Sequence, residues 1–190
     1  MSSHISTYTG VDVDLLNIQE KDINIYDIAH STSMIVRFNG HIKFFYSVGQ
    51  HCILVSEVLK NNNYSIKMQL YGLLHDASEA YFQDIITPIK HSGLVDIYRE
   101  KEEQVSNIIL QKFEINLPGD DEKKIIKNVD KFMFINESKI LRNITIENSG
   151  VSFEFNGEII EEPFLDVENK YVNIFSNLMK LYKKNESGNN

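Results

Sequence analysis

Apolar residues recur at three- and four-residue spacing along most of the 190-residue chain, and that period commits it to a mostly α fold. Ile25, Ile28, Ala29, Thr32 and Ile35/Val36 predict a first helix over about 25–36, with Asp22 ahead of it as a cap and Asn39-Gly40 closing it. Phe44/Phe45, Val48, Cys52, Val55 and Leu59 mark a second helix, ended by Asn61-Asn62-Asn63; a third covers roughly 65–82. Pro88 forces a break, residues 94–113 read as a long charged amphipathic helix, and the turn Leu117-Pro118-Gly119-Asp120 precedes another helix over about 121–142. Pro163 opens the last helix, with Tyr171, Phe175, Leu178 and Tyr182 on its inner face. The period changes at Val151-Ser-Phe-Glu-Phe-Asn-Gly-Glu-Ile-Ile, where alternation around Asn156-Gly157 predicts a small β-hairpin near residues 151–160. The first twenty residues lack helical period and read as an extended lead-in. With no internal repeat or long linker, residues 1–190 are expected to form a single domain.

Several polar groups fall on the apolar faces of these helices. His51 lies three residues after Val48 and four before Val55; His75 lies four after Tyr71, with Asp76 directly behind it; Asp130 lies four after Ile126 and four before Phe134. Each alone is consistent with a core histidine bonded to a carbonyl, or an aspartate in a local ion pair. Together they suggest more, because two imidazoles and two carboxylates converging from three helices compensate one another when a divalent cation sits between them. Glu79, four residues from His75 and three from Asp76, shares their predicted helix face, and Asp84 follows near the helix end. A carboxylate held near a metal but not neutralised by it is suited to moving protons.

The order His51, His75-Asp76, Asp130 resembles the H…HD…D signature of the HD-domain metal-dependent phosphohydrolases, a helical-bundle superfamily. The segment Leu73-Leu-His-Asp-Ala-Ser-Glu-Ala-Tyr-Phe-Gln-Asp84, followed by Thr87-Pro-Ile-Lys90, is similar to the 5′-deoxynucleotidase branch and its phage and prophage relatives. The stretches Asp27-Ile-Ala-His30, Arg37-Phe-Asn-Gly-His41 and Phe45-Tyr-Ser-Val-Gly-Gln-His51 share the likeness, which spans about 25–140. An HD dipeptide alone carries little weight; the ordered set carries much more.

This resemblance implies that His51, His75, Asp76 and Asp130 ligate one divalent transition metal (Co, Mn, Fe, Ni or Zn), with Mg as a further option for a polyphosphate substrate. It implies that Glu79 and Asp84 serve the hydrolytic water and the leaving group. Arg37 would hold a substrate phosphate, a role its forked donors suit, while a surface arginine is the plainer reading. His41 and Lys90 are further substrate-binding candidates. The implied activity is removal of phosphate from nucleotides, deoxynucleotides or nucleotide analogues, adenine-type first, by attack of metal-bound water on phosphorus. Members differ in which phosphate they cut, and one small bacterial member acts on the phosphorylated adenine nucleoside analogue oxetanocin A, with which this chain's size and composition are compatible. The alternatives are an HD hydrolase of a cyclic or pyrophosphorylated signalling nucleotide, and a non-catalytic nucleotide-binding sensor.

Charge bears on the partners. The chain carries 19 Lys/Arg against 27 Asp/Glu, a formal charge of −8, with no block of basic residues, so nucleic acid and anionic membranes are not expected as partners. The single cysteine, Cys52, excludes an intramolecular disulfide, and with no apolar run of membrane-spanning length a cytoplasmic protein is expected. The helix at 94–113 and the Phe-rich hairpin suggest a homodimer, with an ordinary intrachain contact as the competing reading.

Overall fold

In a computed structural model the described residues are 3–85, 96–147 and 150–188. A two-stranded antiparallel sheet, β1 (His4–Ser6) and β2 (Asp12–Asp14), pairs Ile5 with Val13 across a turn in which Gly10 takes φ +83°. Seven α-helices follow among the described residues: α1 (Ile25–Met34), α2 (Val48–Asn61), α3 (Ile66–Leu74), α4 (Glu79–Phe82), α5 (Asp96–Lys112), α6 (Asp120–Arg142) and α7 (Phe164–Gly188). The fold is mostly α with a small hairpin, as the periodicity predicts. The hairpin itself lies at the other end of the chain from where the alternation placed it.

At the centre stands α2. Val48, Cys52, Val55, Val58 and Leu59 are fully buried, and so are polar neighbours such as His51. Ser47 starts it: its side chain accepts from Gln50 N at 3.1 Å while Gln50 Oε1 accepts from Ser47 N at 3.0 Å, a reciprocal cap that satisfies two end donors. That cap explains why the helix begins at Val48 and leaves Phe44 and Phe45 outside. Likewise α1 stops at Met34, because Ile35 and Val36 turn extended and Val36 bridges to Ser47.

α2 packs on α3, and α7 packs against α1, α3 and α2. On α7 the residues Val167, Tyr171, Phe175, Leu178 and Tyr182 are buried, the last four being those assigned to its inner face from spacing. The approach of α2 to α3 depends on Gly72. A Cβ there would lie 2.4 Å from Leu59 Cδ1, 3.2 Å from Val55 Cγ1 and 3.3 Å from the Ser56 Cα. Alanine is ordinarily the better helix former by about 1 kcal/mol. Here the crowding outweighs that preference, and Gly72→Ala is expected to lower stability by about 1–3 kcal/mol in urea unfolding; an unchanged or higher midpoint would show that α2 and α3 can separate without loss.

Two sequence expectations are corrected. The helix expected over 65–82 is interrupted: α3 ends at Leu74, and residues 75–78 form turns before α4. Through this stretch the backbone tightens to three-residue hydrogen bonds (Ala77 N to Leu74 O, Glu79 N to Asp76 O, Tyr81 N to Ser78 O). The hairpin expected near 151–160 is not formed, since residues 151–163 carry no strand. They are held instead by other elements. Asn62 accepts from Glu154 N at 3.1 Å and donates to Glu154 O at 2.9 Å; Gln50 Nε2 donates to Ile160 O at 3.0 Å; and Phe153 and Phe155 pack edge-on against Phe132 of α6. Backbone groups satisfied by side chains of α2 and its cap are not available for pairing within the segment. Among the described residues no helix is long and apolar enough to cross a membrane.

Candidate metal centre

His51 projects from the first turn of α2 and is fully buried. Its Nδ1 donates to Oε1 of Glu137 on α6 at 2.6 Å, which leaves Nε2 as the free ring nitrogen. His75, the residue that ends α3, donates from Nδ1 to the Gly72 carbonyl at 2.8 Å, so its Nε2 is also free. The two Nε2 atoms face each other at 3.3 Å. Two unprotonated Nε2 lone pairs at that distance repel, so the contact calls for a shared proton or a cation.

Asp130 Oδ1, from α6, is 3.0 Å from His51 Nε2 and 3.9 Å from His75 Nε2. Asp76 Oδ2 is 3.2 Å from His75 Nε2 and 3.9 Å from His51 Nε2. Bonds of about 2.0–2.2 Å from a metal to nitrogen and oxygen put neighbouring donors roughly 3 to 3.5 Å apart, a range that the 3.0, 3.2 and 3.3 Å spacings meet and the two at 3.9 Å exceed. The donors form two overlapping trios, His51-His75-Asp130 and Cys52-His75-Asp76, each with its atoms within 4.8 Å of one another. The His/Asp cluster, with Cys52 beside it, could thus hold a metal ion.

The protonation chemistry points the same way. Burial opposes charging of His75, but Asp76 and its other partners outweigh it and hold the ring well above the usual imidazole range. For His51, burial and Arg37 oppose the proton while Glu137 and Asp130 favour it, and the net shift is upward. Asp76 and Asp130 are held down by the same rings against the penalty of burial. The four groups jointly attract positive charge, and a divalent cation delivers that charge without protons.

Glu137 is the residue that the sequence reading missed. It is fully buried and accepts three hydrogen bonds, from Tyr46 Oη at 3.0 Å and His51 Nδ1 on Oε1 and from Arg37 Nε at 3.1 Å on Oε2, where Arg37 Nη2 adds an ion-pair contact at 3.1 Å. Burial raises its pKa, but Arg37 and His51 dominate and hold it at about 2. A signal for it existed. Val129, Met133, Glu137 and Leu141 repeat every four residues along α6 and all are fully buried, so a carboxylate interrupts an otherwise apolar stripe. Cys52 was likewise read only as a core position, yet its thiol lies beside His75, and burial pushes its pKa up.

Arg37 is not the surface residue of the plainer reading. It opens a short 3-10 turn (Arg37–Gly40), is 8% exposed, and reaches from Glu137 toward the cluster, with Nη1 3.7 Å from Asp76 Oδ2. The turn that aims it uses left-handed backbone at Phe38 (φ 54°) and Asn39 (φ 51°), a strained choice for residues with side chains. Phe38 is braced there by the guanidinium groups of Arg37 and Arg142, at 5.4 and 5.0 Å from its ring centre.

The remaining candidates divide. Glu79 opens α4 and is buried at 3% exposure. Asp84 is half-buried just beyond α4, and its charge contributes to holding Arg37 protonated. His41 is exposed at the end of the 3-10 turn, where its backbone N–H caps Phe38 O, and it takes no part in the cluster among the described residues. Lys90 lies outside the described residues.

A cleft of about 720 Å³ opens on the cluster, lined by His75, Asp76 and Asp130 and by apolar Tyr71, Leu74 and Leu110 among others. That volume is in the range of small-molecule sites, about 300–1,000 Å³. Asp76 and Asp130 are 24% and 41% exposed, whereas His51 is shut off, so the centre is approached from its carboxylate side.

No family model matches the chain. It is 40% identical over 111 residues to the uncharacterised protein YfdR of Escherichia coli K12, an alignment covering 58% of each chain. It is 41% identical over 86 residues to an uncharacterised protein of Rhodobacter capsulatus, covering 43% of this chain and 44% of that one. The chain thus spans about half the length of the curated relatives it matches.

Proposed function

We propose that this chain is a metal-dependent phosphohydrolase of the HD type, acting on nucleotides or nucleotide analogues. The observation that carries the reading is the pair of Nε2 atoms 3.3 Å apart, each fixed as the free nitrogen by a hydrogen bond from its Nδ1 and flanked by Asp76 and Asp130. A divalent cation bound there supplies Lewis acidity to a phosphoryl oxygen and makes water more acidic. The chain's own groups do the rest. Arg37 offers Nη1 toward the phosphate side of the cluster while Glu137 holds its Nε and Nη2, so the guanidinium is presented at one orientation. To Asp84, whose charge acts on Arg37, and to buried Glu79 this reading gives the exchange of protons with water and the leaving oxygen.

The experiment is phosphate release from a panel of mono-, di- and triphosphate nucleotides with each divalent metal, using a product assay that separates phosphate, pyrophosphate and triphosphate. Metal-stimulated turnover of a nucleotide supports the reading; no turnover by metal-loaded, folded protein on any of them refutes it. Arg37→Lys keeps a charge but loses the fork that joins Glu137 to the phosphate, and kcat/KM is expected to fall by about 10- to 100-fold with metal content unchanged. An equal loss of metal would assign Arg37 to the upkeep of the centre instead.

A further inference from the structure

One wall of the cleft is a face of α6. Lys123, Ile126, Lys127 and Asp130 all line it, and their three- and four-residue spacing stacks them along that helix. At 1.5 Å per residue, Lys127 sits about 5 Å and Lys123 about 10 Å along the axis from Asp130. The facing wall, from α5, is acidic, with Asp96, Glu100, Glu102 and Glu103. A phosphate bound at the metal is served by the cluster and Arg37. Any phosphate beyond it would meet carboxylates unless cations on α6 intervene.

Those cations are held loosely. Lys123 is 3.7 Å from Glu103, with both side chains more than half exposed, a contact worth little. Arg99, also in the lining, is 3.8 Å from Asp96 in an exposed pair. Lys127 makes no ion pair among the described residues. Its neighbours Lys124 and Lys131 on the same helix do not line the cleft, so the lysines of α6 are not equivalent. A monophosphate held at the metal centre leaves Lys127 without a phosphate to neutralise.

We propose that Lys127, supported by Lys123, forms a subsite for a second phosphate beside the metal centre, so that the cleft prefers nucleoside di- or triphosphates to monophosphates. This rests on the phosphohydrolase reading and adds the phosphate number to it. Lys127 is then the specificity-determining residue.

Binding by non-hydrolysable probes tests the subsite apart from turnover. Metal-loaded protein is titrated calorimetrically with methylphosphonate, which has one phosphoryl group, and with methylenediphosphonate, which has two. Lys127→Gln is expected to weaken methylenediphosphonate about tenfold while methylphosphonate changes less than about twofold. Lys124→Gln, on the same helix but outside the cleft, is expected to change neither, which separates the subsite from the helix's general charge. An equal effect of Lys127→Gln on both probes, or none on either, overturns the proposal. Failure of every nucleotide to turn over would refute the hydrolase reading and would leave these binding ratios to decide the subsite.

Discussion

Asp76→Ala is expected to remove bound divalent metal and phosphate release together. Asp76 is the nearer carboxylate to His75, at 3.2 Å from its Nε2, and the one that does most to draw positive charge onto that ring. Without it the centre keeps two imidazoles and Asp130, and the trio with Cys52 is broken. Metal content measured on purified protein should drop from about one ion per chain to background, and turnover should fall by at least about 10³-fold, as when a water-activating ion is lost. The fold should survive, because Arg37 retains Glu137 as its buried counter-charge. Turnover that persists in metal-analysed Asp76→Ala protein would sink the assignment of the centre.

Loss of Glu137 should be felt differently, in stability as well as metal affinity. Glu137→Ala strands the Arg37 guanidinium, the Tyr46 hydroxyl and His51 Nδ1 in the interior without their common acceptor. Breaking a buried charge pair from one side costs about 3–5 kcal/mol, which urea denaturation would register directly. Glu137→Gln keeps the shape but turns a donor toward donors. It should weaken metal binding by about 10- to 100-fold through loss of His51's orientation, read by competition with a chelator. A pH signature accompanies the wild type. Glu137 is held at about 2 in the folded chain against an ordinary 4.5. Its folded value is the lower one, so its stabilisation is complete above about 4.5 and is lost as pH falls from 4.5 toward 2. The gap in stability between wild type and Glu137→Gln should narrow over that window; a gap independent of pH would mean that Glu137 is not ionised in the fold.

Much of the site was legible because helical spacing converts sequence offsets into shared faces. His51 between Val48 and Val55, and His75 four after Tyr71, were placed inward by that rule, and the structure brings them within 3.3 Å. Asp130 followed from the same reasoning. Glu137 did not, although the fully buried stripe Val129, Met133, Glu137, Leu141 marks it; a glutamate in a charged helix reads as solvated until the partner that would neutralise it is known. That partner, Arg37, lies 100 residues away in sequence. The break after Leu74 was equally hidden, since nothing between Tyr71 and Phe82 forbids a continuous helix.

The β elements show the complementary limit. Alternation at 151–160 gave a local pattern suited to pairing, but Gln50 of α2 and Asn62 at its C-terminal cap took backbone groups. The pair that does form, at His4–Ser6 and Asp12–Asp14, is three residues on each side, too short for period to reveal. Strand identity depends on which groups satisfy the backbone, and that is a tertiary matter.

What the sequence alone determined was most of the helices, the buried face of α7 and the His/Asp residues able to ligate a cation, because each follows from periodicity and side-chain chemistry within a few turns of chain. Only the tertiary structure decided that Arg37 is buried rather than solvated, that Glu137 orients both Arg37 and His51, and that α6 lines the cleft with Lys127. Those are long-range electrostatic facts: a charge goes inside only where another part of the chain neutralises it, and no local window contains both halves of the pair.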